Sequence, residues 1–371
     1  MLHCLETIGS GGVEQTRYSL SRHLDREGFE QMIVCTQELG ILPGKMRENG
    51  VAVEAIGLVP YPFHPGRVRS VLRVIARYRP HIIHGAVFEG VTLAAVAGRL
   101  GHVPGVIVEE THDPVDRNWK GHLLMRGLSA MADRVIAVSP TVGDYVRNTL
   151  HIQEPRLRIV NNGVELQEEE PGEAVAHLRA SLGIGPGETV IGSVGRLLDA
   201  HKRFSDLIRA MALLKKDGLR PRLLLVGDGP DRAMLEGLSR DLEVEDLVVF
   251  AGYQGNTRPY YQCMDLFALA SAMEAFGLVA AEAMLCRLPV VASSVGGLRD
   301  VVREGETGFL VEPLSPPAFA EAIRGLLADP LLRKQMGDAG YRRALSEYTG
   351  AAYAGRIAAV YSDLYREKSK A

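Results

Sequence analysis

The chain has 371 residues, 46% hydrophobic and 23% charged, a soluble globular composition that suits two domains better than one core. Its formal net charge of −3 and pI near 6.4 exclude the electrostatic footprint of a nucleic-acid binder. The four cysteines Cys4, Cys35, Cys263 and Cys286 lie far apart without a Cys-x-x-Cys, which excludes a local thiolate metal knuckle and suits a reducing cytoplasm. The N-terminal Met1–Glu6 lacks the basic and apolar regions of a signal peptide. No apolar stretch approaches the roughly 18 residues of a membrane span. A cytoplasmic protein is expected, with peripheral contact at the inner face of a membrane left open.

From the N-terminus, strands are expected at Leu2–Thr7, Gln31–Thr36, Val51–Ile56, His81–His84, Val106–Glu110, Arg134–Val138 and Arg158–Val160. Amphipathic helical stretches separate them, among them Val13–Arg26, Arg67–Tyr78, Gly90–Leu100 and Thr141–Leu150. Strands and helices alternating at this length read as βαβ units in a parallel sheet. The rhythm breaks at Asn161-Asn162-Gly163, the acidic run Glu168–Glu170 and Pro171-Gly172, with a short helix at Leu178–Leu182. It resumes with strands at Thr189–Val194, Arg222–Val226, Leu247–Phe250, Leu266–Leu269 and Val290–Ala292, and a last helix covers Ala351–Arg366. The pattern predicts an α/β protein of two doubly wound, Rossmann-like domains facing a central cleft. They cover 1–164 and 187–350, with 165–186 as a linker. Open parallel sheets bind ligands at the carboxyl ends of their strands, so the loops after strands are where chemistry is expected.

Three such loops stand out. Ile8-Gly9-Ser10-Gly11-Gly12-Val13-Glu14 follows the first strand, and its glycines let backbone approach an anion at the next helix start. Glu14 occupies the third glycine position of G-x-G-x-x-G, so the dinucleotide fingerprint fails and a plain tight turn stays open. Gly195-Arg196-Leu197 follows a strand, with Lys202-Arg203 shortly after; Arg196 and Lys202 could both reach a diphosphate, or form a solvated basic patch. Gly227-Asp228-Gly229-Pro230 is a turn, and Asp228 reads as its cap.

The stretch Ser271–Met284 carries the most information. It reads as a loop leading into an Ala-rich helix that begins near Phe276, so the N–H groups of Phe276, Gly277 and Leu278 are its free donors and form an anion site. Glu274 precedes this site, and Glu282 lies about six residues inside the helix, roughly 9 Å along it. That is close to the span from a diphosphate to a ribose. A carboxylate accepts two hydrogen bonds from a vicinal diol, so Glu282 suits ribose and Glu274 suits sugar hydroxyls. Paired acids also fit glycoside hydrolysis, a reading that leaves the glycines and basic residues without a role.

With these residues in place, the chain resembles glycosyltransferase family 4, a retaining group with the GT-B fold, along nearly its whole length. The resemblance rests on Glu274-x7-Glu282, Leu288–Ala292, Gly296–Val302, Gly305–Val311, Gly11-Gly12-x-Glu14, Asn162–Val164, Gly195–Leu197 and Gly227–Pro230. It implies that Arg196 and Lys202 hold the donor diphosphate, Glu282 the ribose and Glu274 the transferred sugar. Backbone from Ala275 through Phe276 and Gly277 to Leu278 would contact sugar and phosphate, and Gly11 and Gly12 would approach the donor from the other domain. It also places His112 of Thr111-His112-Asp113 at the reacting face, and packs the helix 351–371 back onto the first domain. Three positions depart from the pattern: Arg287 in place of a glycine, Ala270 in place of a proline, and one extra residue between Arg196 and Lys202, which leaves Arg203 as the substitute cation.

The expected activity is hexosyl transfer with retention. A nucleotide diphosphate sugar, by default a UDP-sugar, is the co-substrate, and no cofactor or metal is needed because no Asp-x-Asp occurs. The acceptor is expected to be a glycan or lipid-linked intermediate. A nucleotide-sugar epimerase and a non-catalytic nucleotide-sugar-binding protein are the rival readings. The basic stretch Arg67, Arg69, Arg73, Arg77 and Arg79 fits anionic lipid as well as a solvated helix face.

Overall fold

The structure, a computed structural model, describes residues 1–9, 11–58 and 64–370. Ser10, inside the first glycine-rich loop, lies outside the described residues. The chain divides into two units, Met1–Glu165 with the stretch from Glu347 onward, and Leu166–Ser346.

Among the described residues, the main sheet of the first unit has seven strands: β1 (Leu2–Cys4), β2 (Met32–Cys35), β3 (Ala52–Ala55), β4 (Ile82–Ala86), β5 (Gly105–Glu110), β6 (Arg134–Ala137) and β7 (Leu157–Ile159). They pair in parallel in the order β3-β2-β1-β4-β5-β6-β7. The central strands β4 and β5 are buried along their whole length, as helices on both faces of a parallel sheet require. A two-residue ribbon, Thr7–Ile8 beside Gln37–Glu38, continues past the sheet.

The second unit repeats the design with β8 (Val190–Val194), β9 (Arg222–Val226), β10 (Val248–Gly252), β11 (Leu266–Leu269), β12 (Val290–Ser293) and β13 (Gly308–Val311). Its parallel order is β10-β9-β8-β11-β12-β13. Leu207, Met211, Leu223, Leu225, Phe319 and Ile323 form part of the core between sheet and helices. Both units are doubly wound and Rossmann-like.

The last helix, Gly350–Lys368, packs on the first unit against the helix Gly12–His23. Thr349 Oγ1 caps it, accepting from Ala352 N–H at 3.2 Å. Tyr353, Ile357, Tyr361 and Leu364 join Leu20, Leu24, Ile82 and Ile107 in one core. A charged cluster is buried there too. Arg17 pairs with Glu109 and donates to Tyr353 Oη at 2.9 Å, while His84 Nδ1 lies 2.7 Å from Tyr361 Oη.

Of residues 165–186, read as a linker, all but Glu165 fall within the second unit. Their helix spans Gly172–Ser181, starting earlier than the sequence pattern suggested. Side chains tie the segment down: Arg258 pairs with Glu169 at 3.1 Å, Gln262 accepts from Glu170 N–H at 2.9 Å, and Arg179 donates to Cys263 O at 2.9 Å. The acidic run is therefore partly spent on a specific contact.

Candidate functional site

The strand order of the second unit reverses between β8 and β11, so the loops leaving these two strands diverge and open a crevice at their carboxyl ends. Arg196 and Lys202 follow β8, and Glu274 to Leu278 follow β11. The sequence motifs converge on one topological switch point.

The loop after β8 is held by the one after β9. Gly195 N–H donates to Val226 O at 3.0 Å, Leu197 N–H to Asp228 O at 3.0 Å, and Asp231 N–H to Leu197 O at 3.1 Å. Two glycines permit this contact: a Cβ on Gly227 would strike the Gly195 carbonyl, and one on Gly229 the Leu197 carbonyl. Asp228 accepts from Gly229 N–H at 2.8 Å and is a turn residue. The buttressed loop leaves Arg196 exposed, and no ion pair engages it among the described residues.

Lys202 ends the short helix Asp199–Lys202, and its Nζ lies 2.6 Å from Glu274 Oε2. Ser271 Oγ approaches the same oxygen at 3.4 Å, and Ala272 N–H donates to His201 O at 2.8 Å, joining the two loops. Arg203 turns away: Asp206 holds its guanidinium at 3.0 and 2.9 Å. Lys202, not Arg203, is thus the cation that meets Glu274, even with the extra residue after Arg196.

The helix after β11 covers Leu278–Leu285, two residues later than the sequence suggested. Gly277 adopts φ +102°, a left-handed backbone that cannot continue a helix, and so becomes the N-cap. Its carbonyl accepts from Ala280 N–H at 3.0 Å and Ala281 N–H at 3.2 Å. The free donors of the first turn are therefore those of Leu278 and Val279, while Phe276 is buried. Gly297, on the loop after β12, presses in from the side. It donates to Glu274 O at 2.8 Å, and a Cβ there would strike the Ala275 carbonyl.

Glu282 is half-buried, and burial pushes its carboxyl up to about 7, partly offset by a hydrogen bond from Tyr261. That bond, Tyr261 Oη to Glu282 Oε2, is 2.7 Å long. Tyr261 is a partner of Glu282 that sequence reasoning missed. It lies 21 positions before Glu282, on the far side of β11, and no local spacing links the two.

In the first unit, Gly11 caps the helix Gly12–His23 without a side-chain bond, and both glycines are exposed. The Glu14 carboxylate curls back over Gly11, where a Cβ would collide with it. His112 is exposed, just after β5, with its N–H directed at Glu110 Oε1 at 3.3 Å. Arg117 fixes Glu110 at 2.7 Å and Tyr145 Oη at 2.8 Å, which shapes the loop that presents His112. Among the described residues no three His, Cys, Asp or Glu side chains converge as metal ligands.

The family model described as Glycosyltransferase Family 4 matches residues 10–168, and that described as Glycosyl transferases group 1 matches 175–343. A D-inositol 3-phosphate glycosyltransferase of Actinosynnema mirum is 36% identical across 92% of this chain and 90% of its own. The chain belongs to glycosyltransferase family 4. A Thermobispora bispora protein of the same name is 33% identical over 96% of this family 4 chain and 91% of its own. An N-acetyl-alpha-D-glucosaminyl L-malate synthase of Bacillus anthracis matches at 31% over 52% of the chain and 50% of its own. In fold, the glycosyltransferase resembles Anabaena HepE in complex with UDP, at TM-score 0.84 and 22% identity over 98% and 99% of the two chains. It also resembles sucrose-phosphate synthase of Thermosynechococcus elongatus, at TM-score 0.81 and 24% identity over 98% and 96%. The fold is GT-B. Among the described residues no helix is long and apolar enough to cross a membrane.

Proposed function

We propose that this glycosyltransferase moves a sugar from a nucleotide diphosphate sugar, with a UDP-sugar as first choice, to a hydroxyl acceptor with retention and without a metal ion. The observation that carries this reading is the convergence of Arg196, Lys202 and the free first turn at Leu278 on the β8–β11 switch point, with Glu274 and Glu282 as flanking acids. Cations and free N–H groups aimed at one place suit a diphosphate whose charge grows as it leaves. Glu282, steadied by Tyr261, is assigned to the ribose diol, and Glu274 to hydroxyls of the transferred sugar. When a donor arrives, Lys202 exchanges part of its contact with Glu274 for phosphate oxygen.

In the transfer step, the acceptor oxygen forms a bond to the anomeric carbon on the face from which the diphosphate departs. The bond to the leaving oxygen breaks, and the acceptor proton passes to that phosphate. His112 is assigned to the reacting sugar, and Gly11 and Gly12 to backbone contact with the donor. The first unit is the acceptor side. HepE was crystallised with UDP and with UDP-glucose, which supports the choice of donor. The names of two relatives describe acceptors that carry an anionic group beside hydroxyls, which bears on the acceptor here.

The test is incubation of the full chain with a panel of UDP-sugars, with and without acceptors, in EDTA. Acceptor-dependent release of UDP and a glycosylated product are expected. An epimerised donor formed without acceptor would make the protein an epimerase, and loss of transfer in EDTA with rescue by Mg²⁺ would end the metal-independent reading.

A further inference from the structure

The sheet of the first unit also reverses its order, between β1 and β4, and the segments after these strands carry charged groups that the donor reading leaves unused. Glu6 follows β1, and Glu89 lies in the first turn of the helix Val87–Leu100 that follows β4. Glycines press this helix onto the sheet: a Cβ on Gly90 would strike the Cys4 carbonyl, and one on Gly85 the Gly90 carbonyl. The approach brings the two acids together. Burial raises the Glu89 carboxyl above its ordinary range, and the charge and hydrogen bonding of Glu6 raise it further. At the same turn, Val87 holds φ +62°, a left-handed backbone that is strained for a β-branched residue.

Arg67 lies in the first turn of the helix Pro65–Tyr78, which packs on the helix Val87–Leu100 that carries Glu89. Only 5% of the Arg67 surface is exposed, and its positive charge acts on Glu89. Its Nε and Nη1 are enclosed without a hydrogen-bond partner among the described residues. A guanidinium in such a place is costly unless something takes its donors. Arg17, also buried in the same unit, has Glu109 for that purpose; Arg67 has no comparable ion pair among the described residues. Its planar fork of donors matches a phosphate or carboxylate, and the neighbouring carboxyls can accept from hydroxyls. Burial also removes Arg67 from the basic stretch read as a lipid-facing surface, while Arg69, Arg73, Arg77 and Arg79 are exposed.

We propose that Arg67, Glu6 and Glu89 form an acceptor subsite for a hydroxyl compound bearing a phosphate or carboxylate, with Arg67 taking the anion and the glutamates the adjacent hydroxyls. The assignment rests on the glycosyl-transfer reading above. The anion can belong to a soluble polyol phosphate or to a lipid headgroup, since the recognition chemistry is the same.

The test is calorimetric titration of the full chain, saturated with UDP, using inositol 1-phosphate against inositol and glycerol 3-phosphate against glycerol. Sedimentation with vesicles of phosphatidylinositol in phosphatidylcholine, against phosphatidylcholine alone, covers the lipid source. The phosphorylated member of a pair, or the phosphatidylinositol vesicle, is expected to bind about ten- to a hundredfold better than its neutral counterpart, the range set by one charge-assisted contact. Arg67→Met should abolish that preference, and Arg67→Lys should keep part of it. The wild-type comparison stands even if the methionine variant does not fold. Absence of any preference, including binding of neither member, overturns the proposal, as does a folded Arg67→Met variant that keeps the preference. Because binding is read without turnover, Arg67-dependent anion binding without sugar transfer would remove the transferase reading and leave the anion site in place. Transfer to neutral polyols with no anion preference would do the reverse.

Discussion

Lys202 Nζ sits 2.6 Å from Glu274 Oε2, so the cation assigned to the donor diphosphate and the acid assigned to the sugar hold each other. The two side chains are 23% and 18% exposed. A pair with this much solvent contact contributes about 0–1 kcal/mol to the fold. Its value lies in keeping a lysine and a carboxylate extended over the β8–β11 crevice without a ligand. Lys202→Met should therefore lower turnover by about 10²–10³-fold, as loss of a group aimed at developing charge does. The unfolding temperature should move by only a few degrees. Turnover close to wild type in a folded variant would return the lysine to a merely structural pairing.

Glu282 gives the site a pH dependence. Burial holds its carboxyl near 7, against an ordinary value of 4.5, so between these values the folded chain binds more protons than the unfolded one. This contribution to stability is full below about 4.5 and is lost as pH rises through about 7. Nucleotide binding should run the other way, because the carboxylate is the better acceptor for a ribose diol. UDP affinity is expected to rise with pH through about 7, and Glu282→Gln should flatten the curve. Tyr261→Phe removes a donor that favours the carboxylate and should move the midpoint upward. Titration calorimetry at several pH values reads all three, and a wild-type affinity independent of pH would take Glu282 out of the ribose contact.

The parts legible in the sequence were those with a local signal. Aliphatic runs bounded by turns place the strands, so Leu266–Leu269 and Arg222–Val226 fall where the pattern put them. The helix at Leu278 was misplaced because Gly277 reads as an early helical residue until its positive φ is known. Glu274 and Glu282 could be chosen from spacing alone, whereas Tyr261 and the Arg203–Asp206 pair emerge only when the helices pack. Arg67 shows the same limit most sharply. In sequence it is one of five arginines on a basic stretch, and folding buries it while its neighbours stay in water. Long-range burial of a charge leaves no periodic trace.

The buried pair of Arg17 and Glu109 links the helix Gly12–His23 to β5, and Arg17 also holds Tyr353 of the last helix at 2.9 Å. Burial alone would raise the Glu109 carboxyl, but Arg17 and His84 outweigh it and hold the group near 2. Glu109→Ala leaves a guanidinium enclosed without its counter-charge, a change that typically destabilises by about 3–5 kcal/mol. Urea unfolding should show that loss in the transition of the first unit, together with earlier hydrogen exchange in Gly350–Lys368. Equal protection of the last helix in variant and wild type would mean that its apolar contacts hold it without the cluster.

Retention of the donor's anomeric configuration is the prediction on which the mechanism depends most. Inversion requires a general base opposite the leaving group, with a pKa near the working pH. His112, exposed at the end of β5, is the residue on the first unit best suited to that task. Retention instead needs no base there, because the departing phosphate can take the acceptor proton. His112 would then hydrogen-bond the transferred sugar or steady charge at the reacting carbon. The two roles separate by experiment. NMR of the anomeric proton in the first product, before any spontaneous mutarotation, gives the stereochemical outcome directly. His112→Ala should slow transfer by about 10²-fold, the scale of one lost electrostatic contact in the transition state, while UDP affinity stays near wild type because the nucleotide contacts proposed above all lie on the second unit. An inverted product would overturn the front-face mechanism even with every donor contact correct. If the product is retained but the variant turns over normally, His112 is only a loop residue, placed by Glu110 and Arg117 and taking no part in the chemistry.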